Sequence, residues 1–120
     1  MIKGIGIDLI DIRRFKNIID KKSFLEQILT KYEIFWTRKN HARDSVYAII
    51  FTIKEAIFKA LGCGLHGGSY WKDIEINQTL GLHSFFGFIK RIVQKSTRPK
   101  VHISQSCSKR YATSFVLIEE

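Results

Sequence analysis

Three residues of this 120-residue chain, Asp8, Glu55 and Lys59, have types and spacings that could handle a phosphate ester. Phe51, Glu55 and Lys59 are four apart, so on a helix their side chains rise along one line. A carboxylate there can hold a hard cation, and an ammonium can meet phosphate oxygens. Mg²⁺ usually takes one or two protein carboxylates and fills its other positions with water and phosphate oxygens, so Asp8 and Glu55 would suffice. The same residues also fit a plainer account. Glu55 and Lys59 could form a surface ion pair worth about 0.3–0.5 kcal/mol, and Asp8 could cap a helix after a glycine-containing core strand. Nothing local brings the segment carrying Asp8 to the one carrying Glu55.

The elements that must position these groups follow from periodicity. Residues Ile2 to Ile10 alternate, with Lys3, Ile5, Ile7 and Leu9 on one face and Ile2, Gly4, Gly6 and Asp8 on the other, which predicts a strand. Its second face loses bulk at Gly4 and Gly6, leaving room for something to lie over the backbone beside Asp8. Asp11 caps a predicted short helix whose apolar residues are Phe15, Ile18 and Ile19, with Arg13, Arg14 and Lys16 toward solvent. Ser23 with Glu26, and Thr30 with Glu33, have capping-box spacing and predict two more short helices. Thr37 to Arg43 reads as a basic turn. Asp44 then caps the longest predicted helix, Ser45 to Leu61, whose apolar face is Val46, Ile49, Ile50, Ile53, Ile57 and Leu61. Gly62 ends it as a C′ residue.

Gly62, Gly64, Gly67 and Gly68 predict a flexible loop, and Trp71 to Ile76 predicts a second strand. Residues 77–98 give the weakest pattern: a strand near Leu82 to Phe86, then a short helix near Gly87 to Lys95. Val101 to Ser104 and Tyr111 to Ile118 predict two antiparallel strands joined by the polar link Cys107 to Arg110. There is no internal repeat or linker, and the order of elements predicts a single small α+β domain.

Composition agrees with one domain: 45% of residues are hydrophobic and 12% aromatic, enough to build a core. The formal net charge of +9 calls for a negatively charged partner, whether nucleic acid, phosphorylated cofactor or acidic protein. Cys63 and Cys107 lack metal-ligand spacing and read as free thiols of a reducing compartment. No signal-peptide pattern opens the chain and no uninterrupted apolar stretch could span a bilayer, so the expectation is a soluble cytoplasmic protein.

Four stretches occur in order: GIGIDLIDIRRF (Gly4 to Phe15), FTIKEAIFKALGCGL (Phe51 to Leu65), WKDIEI (Trp71 to Ile76) and VHIS (Val101 to Ser104). Together they closely resemble the bacterial holo-acyl-carrier-protein synthases, with their GIGxD strand, KEAxxKAxG helix, DIEI segment and VxVSxSH-like strand. The resemblance runs over the whole chain and is poor from Asn77 to Lys100. It implies the 4′-phosphopantetheinyl transferase fold, an antiparallel sheet packed with one long and several short helices. It also implies a homotrimer with coenzyme A bound between subunits. The implied activity is Mg²⁺-dependent transfer of 4′-phosphopantetheine from coenzyme A to a serine of apo-acyl carrier protein, in fatty acid biosynthesis, with release of adenosine 3′,5′-bisphosphate.

By the same resemblance Asp8 and Glu55 are the metal ligands, and Glu55 and Lys59 are catalytic. Glu55, working through a water on the metal, is the implied general base, and Lys59 contacts the phosphates. Arg13 and Arg14 form the docking surface for the acidic carrier protein. Two departures stand out: Ser106 and Cys107 occupy the SxSH-like segment where a histidine is usual, and Ile50 replaces a frequent arginine before Phe51. Arg38, Lys39, His41 and Arg43 could compensate, and the expected cofactor-binding set is Lys59, Arg38, Lys39, His41, Gly62 and Gly64. His102 reads as a strand residue. Two other readings remain: a small basic nucleic-acid-binding domain using exposed aromatics, and a catalytically dead relative kept as an interaction module.

Overall fold

The computed structural model describes residues 1–20, 22–62, 71–78, 85–89 and 100–120. In chain order the elements are β1 (Ile2–Asp11), α1 (Ile12–Ile19), α2 (Lys22–Ile28), α3 (Lys31–Lys39), α4 (Asp44–Leu61), a 3-10 turn (Trp71–Asp73), β2 (Ile74–Gln78), β3 (Phe85–Ile89), β4 (Lys100–Cys107) and β5 (Tyr111–Glu119). Strand β5 lies between β1 and β4 in a three-stranded antiparallel sheet, and β2 pairs with β3 separately. The predicted α+β architecture and terminal hairpin are therefore present.

Helix α4 packs across the three-stranded sheet and carries the core: Ile50, Ile53, Ala56, Ile57 and Phe58 are buried with Val116 and Ile118 of β5, and Ala48 is buried with Ala112 and the α1 residues Ile12, Phe15 and Ile19. The bare face of β1 admits the helix backbone. A Cβ built on Gly4 would lie 1.8 Å from the Ala60 carbonyl oxygen, and one on Gly6 would lie 1.9 Å from that of Ala56. Only glycine permits this approach. The room left beside Asp8 is thus filled by α4, and the apolar alternate face points outward, with Ile5, Ile7 and Leu9 51%, 57% and 64% exposed.

Local chemistry explains most boundaries. Asp11 accepts the Arg13 amide at 2.9 Å and caps α1, and Thr30 with Glu33 forms a reciprocal capping box on α3. Gly62 closes α4 at φ 70°.

Several expectations are corrected. Ser23 lies within the first turn of α2 rather than ahead of it. Thr37, Arg38 and Lys39 belong to α3, which continues through the basic stretch. Arg43, not Asp44, is the N-cap of α4 and has no side-chain cap bond; Asp44 instead places its carboxylate in the first turn, where it meets the positive helix end. Ile12 replaces Ile18 in the buried face of α1. Trp71 opens a tight turn instead of the strand, whose pairing starts at Ile74; its ring stacks on Phe51 at 5.1 Å and meets Phe58 edge-on at 5.4 Å. Gly87 to Ile89 continue a strand rather than start a helix, because they pair with Ile74 to Ile76. Residues 82–84 and 90–95 lie outside the described residues.

Candidate functional site

The close approach of β1 and α4 brings together the three residues that sequence alone leaves apart. Asp8 is on β1, two residues beyond Gly6, and Glu55 and Lys59 are on α4. Lys59 Nζ donates to Asp8 Oδ1 at 2.8 Å and to the Ile7 carbonyl at 2.9 Å. The ion pair therefore forms between Lys59 and Asp8 across the two elements. The alternative of a Glu55–Lys59 surface pair is not found among the described residues. The lysine side chain is half exposed and that of Asp8 is 14% exposed, so the pair faces outward at the rim of the sheet.

Glu55 shares this corner. Burial pushes its carboxyl pKa up, the Asp8 carboxylate pushes it further up, and the Lys59 ammonium opposes both. Two carboxylates forced this close repel each other when both are ionised, and a cation between them would relieve the repulsion. The donor set, two carboxylates with open access, fits Mg²⁺, which fills its remaining positions from water and phosphate oxygens. No cluster of three or more His, Cys, Asp or Glu side chains that could hold a metal ion occurs among the described residues.

The backing of the site is polar and satisfied. Thr113 Oγ1 on β5 donates to the Asp8 carbonyl at 2.8 Å. Thr52 on α4 and Ser114 on β5 share a buried hydroxyl contact at 2.7 Å. Sequence reasoning missed Lys54, the neighbour of Glu55, which is fully buried and bonded to Glu33 at 2.5 Å. Burial pushes the Lys54 pKa down, while Glu33 holds it up. A signal existed: Lys54 falls four residues after Ile50 and three before Ile57, on the apolar stripe of the helix.

The other expected site residues are placed as follows. Arg13 and Arg14 are exposed on α1, which starts directly after β1. Arg38 and Lys39 lie on α3 and line, with Lys31, Ile34 and Phe35, a cavity of about 500 Å³. No hydrogen bond among the described residues joins them to Asp8, Glu55 or Lys59. His41 follows at φ 47°. Gly62 ends α4, its amide donating to the Lys59 carbonyl at 3.1 Å, and Gly64 lies outside the described residues. Ile50 is 1% exposed in the core, so no phosphate contact comes from that position. Cys107 is an exposed free thiol, and His102 is a strand residue bonded to Glu119 at 3.0 Å.

Known proteins share this fold. The sequence model of the 4′-phosphopantetheinyl transferase superfamily matches residues 4–116. A holo-[acyl-carrier-protein] synthase of Wolbachia pipientis subsp. Culex pipiens is 37% identical over 98% of this chain and 98% of its own length. The crystal structure of the Bacillus anthracis holo-(acyl-carrier-protein) synthase, in complex with CoA (3′,5′-ADP), superposes with a TM-score of 0.82 at 32% identity, covering 99% of this chain and 97% of that one. That of Neisseria meningitidis superposes at 0.85 with 26% identity, covering both chains completely. Together with the paired glycines that seat Asp8 against Glu55 and Lys59, these likenesses show that the chain belongs to the 4′-phosphopantetheinyl transferase superfamily, with the holo-[acyl-carrier-protein] synthases.

Proposed function

We propose that this chain transfers the 4′-phosphopantetheine arm of coenzyme A to a serine of an apo-acyl carrier protein and releases adenosine 3′,5′-bisphosphate. The observation that carries this reading is the convergence of Asp8, Glu55 and Lys59 at the junction of β1 and α4. In the reaction the serine oxygen bonds to the phosphorus that bears pantetheine, and the bond from that phosphorus to the bridging oxygen of the nucleotide breaks. Lys59 is half exposed and can turn from Asp8 to the phosphates, where its charge offsets that developing on the leaving nucleotide. Glu55, whose burial and acidic neighbour raise its affinity for a proton, is assigned as the general base that takes the proton of the serine hydroxyl through an intervening water. Asp8 and Glu55 would hold Mg²⁺, which when bound neutralises charge on the pyrophosphate oxygens.

Arg38, Lys39 and His41, on and after α3, are assigned to the nucleotide phosphates in place of the arginine that Ile50 displaces. The exposed Arg13 and Arg14 are assigned to the acidic carrier protein. The outward apolar face of β1, continued by Tyr111 and Phe115 of β5, supports association of copies of this chain, as a homotrimer. Among the described residues no helix is long and apolar enough to cross a membrane, and the free thiol of Cys107 suits the cytoplasm. The nucleic-acid reading gives Asp8 and Glu55 no role, and family membership leaves it without support.

The direct test incubates the protein with coenzyme A, Mg²⁺ and an apo-acyl carrier protein and follows the carrier by intact mass spectrometry. The phosphopantetheine adduct on serine is expected. An unmodified carrier at long incubation, from several carrier proteins, would overturn the assignment.

A further inference from the structure

The catalytic corner has an uneven anchorage. Asp8 is held on both sides, by Lys59 at its carboxylate and by Thr113 at its carbonyl. Glu55 is different: among the described residues no hydrogen bond reaches its carboxylate, so its place depends on where the backbone of α4 sits. Directly before it, Lys54 sends its ammonium the other way, into the protein interior. All three of its donors are used there: Glu33 Oε1 at 2.5 Å, the Ile28 carbonyl at 2.7 Å and the Trp71 carbonyl at 3.2 Å. Glu33 in turn accepts the Thr30 amide and, through its other oxygen, the Ile76 amide, both at 2.8 Å. This one fully buried pair thus ties α4 to the end of α2, the start of α3, the 3-10 turn and β2.

We propose that the Lys54–Glu33 pair is a positioning element that sets the rotation of α4 about its axis and so holds the Glu55 carboxylate beside Asp8. Simple stabilisation does not account for it well, because a buried ion pair is a costly way to fill a core and is often no more stable than apolar side chains of similar volume. Its geometry instead gives direction. A helix resting on glycines at one side can slide or roll over the bare strand face, and a bonded ammonium on the far side stops both motions. Groups behind metal-holding side chains commonly change metal affinity or activity by about 10- to 100-fold when altered.

The inference rests on reading Asp8 and Glu55 as the cation-holding pair, and the experiment separates the two. Mn²⁺ binding is measured by electron paramagnetic resonance at saturating coenzyme A, alongside kcat, the carrier-protein KM and Tm. The mild variant is Glu33→Asp, which keeps the charge and shortens the link by one methylene. Glu33→Gln keeps the length and loses the charge. Thr37→Val is the structural control, since Thr37 is buried on the same helix and bonds only to the α3 backbone.

Either Glu33 variant is expected to raise the Mn²⁺ Kd about tenfold or more and to lower kcat, with the carrier-protein KM unchanged, while Thr37→Val lowers Tm and leaves the Mn²⁺ Kd at the parent value. A parent-like Mn²⁺ Kd in both Glu33 variants, or an equal loss of affinity in Thr37→Val, overturns the positioning role and leaves the site assignment standing. If the parent itself binds no Mn²⁺, the site assignment and the positioning role fall together. Should one Glu33 variant fail to fold, the other decides.

Discussion

At the scale of single residues, the site trades stability for chemistry at Glu55. Its folded pKa is raised, so the folded state holds a proton more tightly than the unfolded chain. Its contribution to stability is therefore full below the ordinary glutamate value of 4.5 and is lost as pH rises through the raised folded value. Glu55→Gln, which cannot ionise, should accordingly melt at a higher temperature than the parent in metal-free buffer at pH 7, the gap closing as pH falls below that ordinary value. At saturating coenzyme A, added Mg²⁺ should raise the parent's Tm and not the variant's, and the variant should show no measurable transfer. A variant that melts below the parent at pH 7 and converges with it only at alkaline pH would contradict the sign. Lys59 pairs with Asp8 at the same corner. Lys59→Ala is expected to reduce kcat by about 10²-fold or more, with a smaller change in the coenzyme A KM, because its charge counts most as the leaving phosphate develops. An unchanged kcat in steady-state assays would remove Lys59 from the chemical step.

At the scale of elements, the contact of β1 with α4 decides whether these side chains meet. Gly6→Ala puts a methyl where the Ala56 carbonyl oxygen lies 1.9 Å away, so strand and helix must separate. A loss of about 1–3 kcal/mol or more in urea unfolding is expected, together with slower transfer, because Asp8 moves with the strand. Ala56→Gly should not rescue it, since the obstructing atom is backbone. A Gly6→Ala protein with parental stability and activity would mean that the strand has slack. What the sequence made legible follows from the range of the forces involved. The Asp11 cap, the Thr30–Glu33 box and the Gly62 stop are local, and each was readable within four residues. Alternation marked β1, β4 and β5, yet it also suggested a strand from Trp71, where the chain turns and Trp71 stacks on Phe51 before pairing starts at Ile74. The candidate site was legible in its residue types and through family resemblance. Its pairing was not, because Lys59 chooses Asp8 over Glu55 through a contact fifty-one residues away along the chain. Lys54 escaped notice since lysines seldom lie in a core, and only the tertiary partner Glu33 makes it tolerable.

At the scale of the whole molecule, charge and exposed apolar surface set its partners. With +9 formal charge, encounter with an acidic carrier should weaken as salt shortens the Debye length, about 10 Å at 0.1 M. The double substitution Arg13→Glu, Arg14→Glu should raise the carrier-protein KM strongly, flatten the salt dependence of kcat/KM, and leave the coenzyme A KM nearly unchanged; parental kinetics at low salt would move docking to Arg38, Lys39 and Arg43. Sedimentation should give a mass near three times 14.0 kDa, and Ile7→Asp, in the middle of the outward face, should yield a smaller species. A parent that sediments as a single chain with full activity would exclude subunit-shared binding of coenzyme A. The strand order carries one more consequence. Among the described residues β5 joins β1 to β4, and it follows both in the chain. During synthesis, at roughly 5–20 residues per second, the emerging polypeptide can make its helices but no three-stranded sheet until residues 111–119 have left the ribosome. Until then β1 lacks the strand it pairs with among the described residues, and its apolar side chains are open to whatever binds nascent chains. A message cut short before Tyr111 therefore yields no smaller version of this fold, only a chain whose first strand waits for its last.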